Sequence, residues 1–178
     1  MKKLNQILFL IMTVSAVTLT SCSSSDDGGG GGNAPSGTLV AKVDGTNYES
    51  WEISSSATVA NNGQNLIIIA SNSDGNAFSF TIFGYEGVGT YDFDGSSINN
   101  FNTGSYSETA VDLNNPQNST TEMWQAPYDN SMVGSLSVSE ETDDKLMGTF
   151  EFTGKNLNGD QSVKTITEGS FNLNKQVQ

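Results

Sequence analysis

Twenty carboxylates, seven lysines, one cysteine and no histidine or arginine are the reactive groups of this 178-residue chain. Without histidine there is no Ser-His-Asp or Cys-His relay, and most zinc sites are excluded too. Without arginine there is no planar clamp for carboxylate or phosphate. Carboxylates therefore carry whatever acid–base chemistry exists. Asp92 and Asp94 flank Phe93 on what reads as one strand face. Side chains two residues apart on a strand lie roughly 7 Å from each other, a separation an inverting glycosidase could use. Asp94-Gly95-Ser96 nevertheless reads as a turn, and two solvated carboxylates are the expectation. The chain is read as non-enzymatic, with a carboxylate-based hydrolase as the lesser alternative.

Oxygen-rich loops suit calcium, and Asp92-Phe93-Asp94-Gly95-Ser96 and Asn156-Leu157-Asn158-Gly159-Asp160 have suggestive residues. Neither has the register of an EF-hand loop, and Asp, Asn and Gly are also the ordinary turn formers. The glycine run 28–32 lacks the terminal lysine and the strand–helix setting of a phosphate loop. No metal or cofactor is expected. Asn118-Ser119-Thr120 fits the N-glycosylation pattern and reads as coincidence. The aromatics offer more. Trp124 precedes Pro127, Tyr128, Asp129 and Asn130, read as a loop in which a flat ring could stack on a sugar beside polar groups. Trp51, within an alternating apolar stretch, reads as core.

The lone cysteine has a different chemistry. Lys2 and Lys3 precede the apolar run ILFLIMTVSAVTL, the charged start and short apolar core of a secretory signal peptide. That run is short of the roughly 20 apolar residues a spanning helix needs. Leu19-Thr20-Ser21-Cys22 then resembles the bacterial lipobox. The resemblance implies a diacylglycerol thioether on Cys22, removal of residues 1–21, and attachment to a membrane by lipid. Ser23 after the cysteine implies transfer to the outer membrane. Ser24-Ser25-Asp26-Asp27 resembles the short acidic export tag of Bacteroidota surface lipoproteins. Residues 22–36 form a Ser/Asp/Gly tether that would reach about 20 Å as a random coil.

The part that must position any site is residues 37–178, one domain's worth of chain. From Cys22 onward, five lysines face all twenty acidic residues, a formal charge of −15. Such a polyanion repels phosphates, which excludes nucleic acid as a partner and disfavours anionic lipid head groups. Apolar alternations separated by Gly, Asn and Asp read as strands and hairpins. Residues 38–43 and 48–53 flank Asp44-Gly45-Thr46-Asn47; residues 66–70 and 77–83 flank SNSDGN; residues 133–140 and 146–153 flank 141–145. Segments 163–167 and 170–173 close the chain. In these strands Phe78, Phe80, Ile82, Leu136, Val138, Phe150 and Phe152 face inward.

A pattern of glycine, small hydroxyl, apolar, any residue, apolar occurs at Gly89, Gly134, Gly148 and Gly169. Its spacing is irregular, which speaks for bent strands in a curled sheet and against a solenoid. The expected fold is all-β: an antiparallel meander closed into a lipocalin-like barrel or a flattened β-sandwich.

With its "AKVDGTNYESW", "GTYDF" and "GTFEFTGKN…EGSFNL" segments, the chain resembles small β-rich lipoproteins of Bacteroidota without an assigned function. The resemblance spans most of 38–173. It implies a β-rich domain and an envelope address, and brings no catalytic residue with it. The expected function is an outer-membrane-anchored, non-catalytic module that binds a glycan or small ligand or supports an envelope complex. A purely structural or adhesion subunit is the alternative.

Overall fold

The computed structural model describes residues 34–178, so the signal peptide, Cys22 and the acidic tag lie outside the described residues. Eleven strands account for the fold: β1 (Thr38–Val43), β2 (Thr46–Glu49), β3 (Ser55–Ala60), β4 (Asn65–Ser71), β5 (Ala77–Phe83), β6 (Gly89–Asp94), β7 (Thr103–Ala110), β8 (Thr120–Ala126), β9 (Met132–Glu141), β10 (Lys145–Lys155) and β11 (Val163–Val177). The chain changes layers repeatedly. One layer runs β2-β1-β11-β10-β9-β6 and the other β3-β4-β5-β7-β8. They join where the end of β11 pairs with β3 and where the end of β10 touches β8, closing a ring of seven strands.

The fold is all-β as expected, and the flattened alternative describes it best. Phe78 and Phe80 of β5 meet Phe150 of β10 with ring centroids 5.3 and 4.8 Å apart. Phe80 also stands 6.0 Å from Phe93 of β6. Rings from facing sheets in direct contact fill the space where an open barrel would have a lumen. Two details depart from a plain antiparallel meander. The β11–β3 pair is parallel. β6 leaves β5 to pair with β9 on the other sheet, so β7 takes the place beside β5.

The glycine pattern has a structural meaning at three of its four copies. Gly134, Gly148 and Gly169 each lie at or beside a register shift between neighbouring strands. At Gly148 a Cβ would overlap the Ser137 carbonyl oxygen and lie 2.5 Å from Phe171 Cζ. Without a side chain, the bulged strand can pass that close. Gly89 has no such crowding: only the Tyr91 hydroxyl comes as near as 4.0 Å. Gly148→Ala is therefore expected to destabilise by about 1–3 kcal/mol, the usual cost of overpacking. Gly89→Ala should be close to neutral. Urea denaturation of both variants checks this, and equal losses would contradict the assignment of Gly148 to a crowded bulge.

Candidate functional site

At one end of the sandwich the turn between β1 and β2, the β4–β5 hairpin, the end of β7 and the start of β11 converge. Asp44, in that first turn, accepts from the Thr165 backbone N–H at 2.8 Å, and its own N–H donates to the Thr165 carbonyl at 2.9 Å. Asn72 receives the N–H groups of Asp74 and Asn76, each at 3.0 Å, so its amide builds the β4–β5 turn. Tyr48 reaches over from β2 and donates to the carbonyls of Ala70 at 2.9 Å and Asn76 at 3.2 Å. These contacts fix the rim of a depression of about 270 Å³ that also includes Asn47, Tyr106, Glu108 and Lys164.

Lys164 organises this rim. Its Nζ lies 3.1 Å from Glu108 Oε1 and 3.9 Å from Asp44 Oδ2. It also sits 4.4 Å from the centre of the Trp124 ring and 5.9 Å from that of Tyr106. A cation over an aromatic face is attracted by the ring quadrupole. Burial pushes the Tyr106 hydroxyl well above its usual range, with the nearby Glu108 charge adding to it. What this end offers is a rim of amides and carboxylates around one ammonium, suited to hydrogen-bonding a neutral or cationic polar ligand.

The two tryptophans reverse their expected places. Trp124 is 3% exposed on β8, and Trp51 is 54% exposed. Trp124 shares its face with buried Ala126, and its Nε1–H donates to Ser162 Oγ at 2.9 Å. An indole enclosed in this way has no free face for a sugar ring. The expected site also falls apart in space. The chain from Pro127 to Ser131 folds against the β6–β7 turn, where Gly95 N–H donates to the Ser131 carbonyl at 3.0 Å. There Tyr128 is half-buried, while Asp129 and Asn130 are exposed. Trp51 leaves β2 because buried Ser50 ties the chain down: its Oγ accepts from Leu39 N–H at 2.9 Å and from the Ser55 hydroxyl at 2.8 Å.

Two of the carboxylates singled out for calcium or hydrolysis, Asp94 and Asp160, serve their own turns. Asp94 accepts from the Ser96 hydroxyl at 2.6 Å and the Ser96 N–H at 2.8 Å, which holds its carboxyl below the usual range. Hydrogen bonds from Ser162 hold Asp160 low in the same way. Asp92 is exposed on β6. Lys164 and Glu108 are the residues that sequence reasoning missed. The signal was there: an inward-facing Tyr106 two residues before Glu108 marks a strand whose face runs out to the rim.

A family described as a domain of unknown function (DUF6252) matches residues 36–173. The chain belongs to it. The DUF6252 match begins just before β1 and ends inside β11, so it takes in the whole Lys164 rim and both sheets. No curated protein and no solved structure matches the chain.

Proposed function

We propose that this DUF6252 chain is a lipid-anchored protein of the Bacteroidota outer membrane, displayed at the cell surface as a non-catalytic binding module. The observation that carries the anchor is Leu19-Thr20-Ser21-Cys22 directly after a short apolar run and before the Ser/Asp/Gly tether. Two or three acyl chains on one residue make attachment effectively permanent, since each buried methylene contributes about 0.8 kcal/mol. Residues 24–27 serve as the export tag, and residues 22–36 join the lipid to the sandwich.

Two features support a binding role at the surface. The aromatic interior leaves ligands the rims and faces of the sandwich. Asp92 and Asp160 are exposed and Asp94 is half-buried, and the Asp94 and Asp160 carboxylates accept hydrogen bonds within their own turns, which speaks against a carboxylate pair poised for hydrolysis. A glycan or small polar ligand fits the amide- and carboxylate-lined rim around Lys164.

The alternative, an interaction subunit of an envelope complex, is favoured by one observation. The outer face of β3-β4-β5-β7-β8 carries Ser56, Thr58, Ile67, Ile69, Ser79, Thr81, Thr103 and Ser105 in register, with no charged residue in those rows. On a domain this acidic, an uncharged face is the natural place for a neighbour.

Cys22→Ala tests the anchor. The variant is expected to keep its full precursor mass and to leave the detergent phase on partitioning. A mature mass and detergent partitioning equal to those of the unaltered protein would overturn the lipoprotein reading.

A further inference from the structure

The ring of strands is nearly open at one seam. β8 and β10 share a single bridge, Gln125 with Lys155, and then diverge. Beyond it, residues 120–123 of β8 have β7 on one side and, among the described residues, no strand on the other. The gap is a cleft of about 510 Å³, with residues 120–123 on one wall and Asn156, Asn158 and Gly159 on the other. A free strand edge offers a row of backbone N–H and C=O groups to another chain.

Two further observations say what would fill it. Asn156 is 3% exposed, and its Nδ2 is buried without a hydrogen-bond partner. A buried amide donor left unsatisfied is costly, and an incoming carbonyl would recover that cost. On the β8 wall, Glu122 stands directly across the ladder from Glu108. Like charges opposite each other on a sheet are destabilising. Lys164 meets Glu108 at 3.1 Å, and Glu122 has no ion-pair partner among the described residues. The cleft lining holds no aromatic ring on which a sugar could stack.

We infer that this seam binds an extended polypeptide segment of another protein as an added strand on β8. The segment's carbonyl accepts from Asn156, and a lysine or arginine on it pairs with Glu122. Main-chain pairing supplies affinity and the basic side chain supplies selectivity. This goes beyond the binding-module reading above: the seam is a separate site, for a protein segment, and does not depend on a ligand at the Lys164 rim.

The test uses the full-length lipidated chain in detergent and a phage-displayed library of random linear twelve-residue peptides. Enriched peptides should carry a basic residue, and a synthetic copy should slow hydrogen exchange at residues 120–123. Glu122→Lys should weaken that peptide at least tenfold and shift a new selection toward acidic sequences. Asn156→Asp should weaken it as well, with circular dichroism checking that the variant folds. Selection of no peptide, or protection confined to other strands, overturns the seam. Peptides that protect another surface overturn it while leaving the binding-module reading intact. The anchor is decided separately by Cys22→Ala.

Discussion

Trp124→Ala is expected to lower the stability of the domain by about 3–5 kcal/mol, the range for truncating a large buried aromatic. Several contacts go at once. The indole packs 6.1 Å from the Tyr106 ring, donates to Ser162 Oγ, and lies beneath the Lys164 ammonium. Removing it leaves a void between β8 and the start of β11, and leaves Lys164 without its aromatic face. Trp124→Phe should cost less, because it keeps a ring and loses mainly one hydrogen bond worth about 1 kcal/mol. Trp51→Ala should fall within about 0.5 kcal/mol of the unaltered protein, as exposed positions do. Urea unfolding followed by circular dichroism ranks the three. A Trp51→Ala loss larger than that of Trp124→Ala would contradict the burial of the two residues.

That contrast also shows what the sequence could and could not tell. Hairpins with strong turn chemistry were legible, since Asp44-Gly45 and SNSDGN do connect β1–β2 and β4–β5. Inward faces were legible wherever large apolar residues alternate, as at Phe78, Phe80 and Ile82, all buried. β7 and β8 were not. Their outward residues are Ser, Thr, Met and Gln, and each has few large inward side chains, so Trp124 looked like part of a loop. The 163–167 and 170–173 segments are one strand, broken in pattern by a bulge in which Glu168 takes a φ of 51°. An extra residue shifts the alternation by one and hides continuity.

Trp51 was open to a parity check. Buried Tyr48 puts Ser50 on its own face and Trp51 on the opposite one. The Lys164 rim was the hardest part to read. It joins Asp44, Glu108 and Lys164 from three separate strand ends, and only the ring closure brings them together.

Alkaline pH should unfold this domain steeply once it passes about 10. Burial raises the Tyr48 hydroxyl well above the usual tyrosine value, and Tyr85 and Tyr106 are raised by burial and then by their neighbours Glu141 and Glu108. A raised folded-state pKa means that the folded state disfavours the tyrosinate. The sign follows from linkage. The stability these phenols contribute is fully present below the unfolded value of about 10 and is lost as pH climbs toward the raised folded one. Tyr48 alone would withdraw about 1.4 kcal/mol per pH unit above that point. Tyr85 and Tyr106 add less, because their hydroxyls sit beside surface carboxylates that water screens.

Tyr48→Phe separates this effect from general alkaline damage. It should cost about 1 kcal/mol at neutral pH, through loss of the hydrogen bonds to Ala70 and Asn76, yet flatten the alkaline slope. The two stability curves should therefore converge and cross as pH rises. Tyrosinate absorbance near 295 nm, followed together with circular dichroism, reads the coupling directly. If most of that absorbance grew in around pH 10 while the β-sheet signal held, the phenols would be ionising in the folded state, and the burial argument for Tyr48 would fail.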